Sequence, residues 1–170
     1  NYRNQNPEQI ARDKIDQLLV QAGWIIQTSK AIDLNANLGI AVREYQTDVG
    51  PADYVLFINK KAVGVIEAKS EDWGHRITTV EEQSNEYAAA KLKWVNNKAS
   101  LPFVYESTGV IARFTDGRDP NPRSREVFNF HRPETLSEWI QQEASLRSRL
   151  QNIPFLNTEG LRDCQTTAIE

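Results

Sequence analysis

Apolar residues recur at Ala11, Ile15, Leu18, Leu19 and Ala22, the spacing of one face of a helix. Asn6 is placed to cap that helix, Pro7 to open it and Gly23 to end it. Beyond Gly23 the pattern changes to short apolar runs. Trp24-Ile25-Ile26-Gln27 predicts a short strand, residues 33 to 37 a polar loop, and Ile40-Ala41-Val42-Arg43-Glu44-Tyr45 a second strand. Asp53-Tyr54-Val55-Leu56-Phe57-Ile58 and Ala62-Val63-Gly64-Val65-Ile66-Glu67-Ala68-Lys69 predict a hairpin turning at Asn59-Lys60-Lys61. Thr79 and Glu82 form a capping box that starts a helix through Val95. Pro102-Phe103-Val104-Tyr105 and Gly109-Val110-Ile111-Ala112-Arg113-Phe114 predict two more strands, joined by a tight turn at Ser107-Thr108-Gly109. Thr115 to Arg125 carries turn chemistry, Val127-Phe128-Asn129-Phe130 predicts another strand, and Leu136, Trp139, Ile140 and Ala144 mark a closing helix. This alternation predicts an α/β fold, a mixed β-sheet flanked by α-helices.

The hairpin places charges where a core is expected. With a three-residue turn, Ile58 faces Ala62 and Asp53 falls opposite Glu67, their Cβ atoms about 4.5–5.5 Å apart. Lys69, two residues further along, shares that face. Like charges directly opposite one another destabilise a hairpin, and ions on buried strands are costly unless compensated. Two readings follow. In one, a divalent cation such as Mg²⁺ compensates, taking one or two carboxylates together with waters and phosphate oxygens, while the lysine orients a water or steadies a phosphate. In the other, Lys69 merely neutralises Glu67 at the end of an edge strand and Asp53 is solvated. Spacing alone leaves both open.

Three segments in order carry a resemblance: Gly50-Pro51-Ala52-Asp53-Tyr54, Val65-Ile66-Glu67-Ala68-Lys69 and Gln83-Ser84-Asn85-Glu86-Tyr87. Together they resemble the PD-(D/E)xK nuclease signature with its downstream Q-x-x-x-Y element. More narrowly, the chain is similar to the N-terminal nuclease domain of the restriction (R) subunit of type I restriction endonucleases. Ile15-Asp16, Ala22-Gly23-Trp24, Val42-Arg43-Glu44-Tyr45, Pro102-Phe103-Val104-Tyr105 and Phe128-Asn129-Phe130-His131-Arg132-Pro133-Glu134 extend the similarity over nearly the whole length. The first motif departs from its name in that Ala52 separates Pro51 from Asp53.

The resemblance implies a restriction-endonuclease-like mixed sheet and a Mg²⁺-dependent endonuclease acting on double-stranded DNA, with Mn²⁺ able to substitute. Asp53, Glu67 and Lys69 are then catalytic, and Asp53, Glu67 and the carbonyl of Ala68 hold the metal. Gln83 and Tyr87, four apart on one helix face, become supporting or DNA-contacting residues; on spacing alone Tyr87 is equally a packing residue. Glu8 is a secondary candidate, because some members of the superfamily take an extra glutamate ligand from the first helix. A glutamate in a first turn also complements the helix dipole. The implied partners are the modification and specificity subunits of a type I restriction complex, and ATP enters only through a motor region downstream of this chain.

Composition narrows the remaining choices. With 170 residues, 39% hydrophobic and 25% charged, the chain has material for one sizeable core. We expect a nuclease domain over residues 1–150 and an extension over residues 151–170 leading towards the translocase region. The chain starts at Asn1, contains no methionine, and finishes in a helix-like segment with an incomplete apolar face, which reads as a piece of a longer protein. Cys164 has no second cysteine to pair with, and no apolar run reaches membrane-spanning length, so a cytoplasmic location with no membrane partner is expected.

The formal charge of −3 and pI near 5.5 argue against strong nucleic-acid binding by this chain alone. Arg113, Arg118, Arg123, Arg125 and Arg132 cluster late in the chain and read as an ordinary solvated face. Weak intrinsic binding suits a nuclease delivered to DNA by other domains. Competing chemistries lack their residues: His75 and His131 are the only histidines, without H-E-x-x-H, Walker A or G-x-G-x-x-G. The alternatives retained are a non-cleaving nuclease-like docking or regulatory module of a DNA helicase and a free-standing DNA repair nuclease.

Overall fold

The computed structural model of the chain describes residues 6–47, 50–71, 101–142 and 144–152. The helix expected from Thr79 and the segment from Leu161 onward lie outside them. The first helix, α1 (Pro7–Gln21), begins at the expected cap, where Asn6 Oδ1 accepts the Glu8 N–H. Gly23 follows it at φ +93°, a backbone conformation that suits a residue without a Cβ.

Seven strands lie in chain order across one mixed sheet among the described residues: β1 (Ile25–Thr28), β2 (Gly39–Thr47), β3 (Gly50–Ile58), β4 (Lys61–Ala68), β5 (Phe103–Ser107), β6 (Ala112–Asp116) and β7 (Arg125–Val127). The β1/β2 and β4/β5 pairs are parallel and the other four are antiparallel. β4 is therefore an interior strand, hydrogen-bonded on both sides.

The β3/β4 hairpin reaches the expected pairing by an unexpected route. Its turn is two residues long, with Asn59 and Lys60 both at positive φ (47° and 67°), and Ile58 faces Lys61 rather than Ala62. A bulge between Leu56 and Phe57 then leaves Val63 without a partner: Phe57 pairs with Ala62 and Leu56 with Gly64. That extra residue restores the register that a longer turn would have set. Tyr54 pairs with Ile66, and the next rung places Asp53 across from Glu67.

Alternation along these strands divides the core between two faces. On one, Tyr54, Leu56, Ile66, Phe103, Tyr105 and Phe114 pack against Ile15 and Leu19 of α1 and against Leu136 of α2 (Pro133–Gln141). On the other, Ile40, Val42, Val55, Val65 and Val104 pack with Leu101, with Leu34 against them. Burial on both faces explains the unbroken apolar run at Tyr54–Ile58.

Boundaries in the second half shift from the sequence expectation. β5 runs on to Ser107 and β6 starts at Ala112, because Ser107 and Thr108 side chains take up the turn's backbone N–H groups and leave Gly109 inside the turn at φ +79°. β7 covers Arg125–Val127, earlier than expected; Phe128 is fully exposed while Phe130 enters the core. α2 stops at Gln141, and an additional short helix, α3 (Leu146–Gln151), starts where the Ser145 side chain accepts the Ser148 N–H.

Candidate functional site

The sheet carries Asp53 into the first half of β3 and Glu67-Ala68-Lys69 to the end of β4, on adjacent central strands. Asp53 is tied down at both oxygens. Its Oδ2 accepts the Ala68 N–H at 3.0 Å and its Oδ1 accepts from Arg12 Nη2 at 2.6 Å, leaving the side chain 19% exposed. Glu67 and Lys69 form an ion pair. The Lys69 N–H donates to the Ser107 carbonyl at 2.8 Å, so the lysine's backbone continues the parallel ladder with β5. An edge-strand lysine beside a solvated aspartate is thereby excluded, since β4 is interior and Asp53 largely buried. The next strand adds a further carboxylate, Glu106, paired across from Glu67.

α1 reaches this site through a residue that the sequence pattern did not single out. Glu8 is exposed in the first turn, and its backbone N–H engages the Asn6 cap. One turn on, Arg12 makes the contact with Asp53 instead, and also lies 3.4 Å from Glu44. The helix thus brings a cation to the site where an extra carboxylate was the candidate. Glu44 sits in the middle of β2 at φ +49°, between the rungs Arg43/Tyr54 and Tyr45/Ala52, and so lies across from Asp53. A non-glycine residue in that conformation within a strand is strained.

A second layer braces this group. Arg43 grips Asp16 of α1 through both Nε and Nη2, and the Tyr54 hydroxyl lies 2.8 Å from Asp16 Oδ1. Burial pushes the Tyr54 hydroxyl up to about 12, against the pull of the Arg43 and Arg12 charges. Between Arg12, Asp16, Arg43, Glu44, Asp53 and Tyr54 lies a cavity of about 130 Å³. Its signal in the sequence was faint: charges at Arg12 and Asp16 share one helix face, and Arg43-Glu44 interrupts an apolar strand.

Gln83, Tyr87 and His75 lie outside the described residues. The late arginines are not a uniformly solvated face. Arg113 is buried, donating through Nε and Nη2 to Ser124; Arg118 is locked to Asp116; and Arg125 and Arg147 flank the buried Asp119. These last pairs border a larger cavity of about 340 Å³ beside β6, β7 and α3. His131 is half-buried, its Nδ1 2.6 Å from the Tyr105 hydroxyl and its ring against Phe114 and Trp139.

The family model for the second domain of the type I restriction enzyme EcoKI endonuclease subunit matches residues 26–140 of this chain. The chain belongs to that family. The type I restriction endonuclease subunit match spans β1 through nearly all of α2 and therefore includes Asp53, Glu67, Ala68 and Lys69. The chain is 26% identical over 212 aligned positions to the type I restriction enzyme EcoKI endonuclease subunit of Escherichia coli (strain K12), an alignment covering 95% of this chain. It spans 18% of that relative's length. The chain is also similar to the crystal structure of the type IIG restriction endonuclease BpuSI, with a TM-score of 0.43 and 20% identity over 86% of this chain and 16% of that one. Among the described residues, no helix is long and apolar enough to cross a membrane.

Proposed function

We propose that this chain is the nuclease domain of a type I restriction enzyme R subunit and hydrolyses phosphodiester bonds of double-stranded DNA with a divalent metal ion. The observation that carries this reading is the meeting of Asp53 with the end of β4, where its carboxylate bonds to Ala68 beside the Glu67–Lys69 pair. Family membership supplies the context of a restriction endonuclease subunit.

The donor set fits Mg²⁺. Carboxylates of Asp53 and Glu67 and the carbonyl of Ala68 are hard oxygen ligands, the type that Mg²⁺ takes, and Mn²⁺ accepts the same set. Among the described residues no three His, Cys, Asp or Glu side chains converge as a metal cage. Water and substrate phosphate would complete the coordination, as is common for Mg²⁺. Arg12 pairs with Asp53 and Lys69 with Glu67, so a cation entering the site would share or displace these partners.

A bound cation would supply Lewis-acid polarisation of a phosphate oxygen and a lowered pKa for a water. Asp53 and Glu67 hold the ligand oxygens on adjacent strands, so their separation is set by sheet geometry rather than by a loop. Lys69, anchored by the ladder to Ser107, orients the attacking water or balances charge on the phosphate. Hydrolysis adds the water oxygen to phosphorus and releases one ester oxygen as a hydroxyl. Gln83 and Tyr87 serve as supporting or DNA-contacting residues. The modification and specificity subunits choose the DNA, and ATP acts through the motor region downstream.

The test uses the full-length protein with its partner subunits, ATP, Mg²⁺ and unmodified circular DNA. Asp53→Ala, Glu67→Ala and Lys69→Ala are each expected to abolish cutting while the complex still assembles and hydrolyses ATP. Undiminished cutting by all three would reject the site. Absence of cutting by the wild type under the same conditions would favour a non-cleaving docking module.

A further inference from the structure

We propose that Arg12 is a positioning residue that holds Asp53 while no metal ion is bound and transfers its charge to Glu44 when one binds. The inference rests on the metal-site reading above and extends it to two residues outside the motif. Arg12 Nη2 is 2.6 Å from Asp53 Oδ1, the oxygen left over once Oδ2 has accepted the Ala68 N–H. A cation that approaches Oδ1 therefore meets a guanidinium already there, and two positive charges at one oxygen repel. Arg12 has a second acceptor within reach. Its Nη1 is 3.4 Å from Glu44 Oε1, and Glu44 is 70% exposed, free of the packing that constrains Asp53.

Two further observations fit a guanidinium with alternative positions. Arg12 Nε is buried without a hydrogen-bond partner, so the present pose leaves one donor unmet. Glu44 holds a left-handed backbone across from Asp53, which brings a carboxylate to the guanidinium from the opposite side to β4. Arg12 thus keeps the metal-free carboxylate aimed at Ala68, and Glu44 receives the displaced charge.

Mn²⁺ binding to the full-length protein, measured without nucleotide by titration calorimetry or electron paramagnetic resonance, separates these outcomes. Asp53→Ala identifies the relevant site as the binding component that it removes. If Asp53→Ala removes none, the metal-site reading itself fails. Given that component, Arg12→Gln is expected to tighten it by about fivefold or more and Glu44→Gln to weaken it by a similar factor, the lower end of coupling between interacting sites. In the Arg12→Gln background, Glu44→Gln is expected to have no effect, because Glu44 acts through Arg12. Unchanged or weakened binding in Arg12→Gln overturns the proposal, and so does an undiminished Glu44→Gln effect in the double variant. Should Arg12→Gln not fold, the exposed Glu44→Gln still decides: unchanged Mn²⁺ affinity overturns the proposal.

Discussion

The Asp53 carboxylate accepts the Ala68 N–H at 3.0 Å, so the side chain that opens one motif is fastened to the backbone of the other. The bond spans two adjacent strands and fixes the Asp53 carboxylate beside Glu67 and Lys69. An amide at this position keeps an acceptor for the Ala68 N–H but loses the charge that Arg12 pairs with and that the proposed metal ion would need.

Asp53→Asn is therefore expected to leave the fold largely intact and to reduce DNA cleavage by roughly a hundredfold or more, the scale of losing one electrostatic stabiliser at a reacting centre. Conversion of unmodified circular DNA to linear form, with ATP hydrolysis as the unchanged control, reads the effect. A large fall in melting temperature with cleavage retained would make Asp53 a structural residue only.

Gly64 lies where β4 meets β5, and a Cβ there would stand 2.8 Å from the Phe103 carbonyl and 3.0 Å from the Phe103 Cβ. Because the nearest atom is backbone, relief requires the two strands to move apart. Gly64→Ala is expected to cost about 1–3 kcal/mol, as overpacking does. It should also lower cleavage, since the same strand pair fixes Glu67 and Lys69. Equilibrium denaturation checks the first effect and the cleavage assay the second.

Tyr54 ties its hydroxyl to Asp16, and its removal in Tyr54→Phe is expected to cost about 1.5–3 kcal/mol near neutral pH, the range for a hydrogen bond to a charged group. Burial raises the folded-state value from 10.0 to about 12. The protonated hydroxyl is the favoured form in the fold, so its contribution is complete below pH 10 and is lost as pH rises towards 12. The stability gap between wild type and Tyr54→Phe should narrow across that window. A gap independent of pH would show that the hydroxyl does not titrate differently on folding.

His131 behaves in the opposite sense. Burial, reinforced by Arg125, lowers it from its ordinary 6.5, so the neutral ring is favoured in the fold. Its contribution is complete above pH 6.5 and is lost as pH falls below that value through the depressed folded one. Wild type should lose melting temperature over this acid range more steeply than His131→Gln. Parallel profiles would remove His131 from the acid response.

Local periodicity carried much of this protein. The three-and-four spacing from Ala11 to Ala22 determined α1, and the apolar runs around Tyr54 and Val65 determined a hairpin whose two-residue alternation allows only registers that keep its apolar sets on their faces. That constraint explains why Asp53 still comes across from Glu67 although the turn is shorter than its composition implied: the bulge at Val63 absorbs the difference. The grouping of Asp53 with Glu67, Ala68 and Lys69 was likewise legible, because charges at the ends of apolar strands stand out from their surroundings.

Tertiary structure decided what those residues touch. Whether α1 presents Glu8 or Arg12 to Asp53 depends on where the helix crosses the sheet, which is set by Ile15 and Leu19 packing on Tyr54, Leu56 and Ile66. Plain strand alternation would send Arg43 and Glu44 to opposite faces, yet both reach α1, Arg43 at Asp16 and Glu44 at Arg12, and the left-handed backbone at Glu44 is the departure from alternation that allows it. Contacts of this kind join positions far apart in the chain, Arg12 and Asp53 among them. Helix and strand periods encode the face of each element, but the packing of one element on another determines which side chains meet.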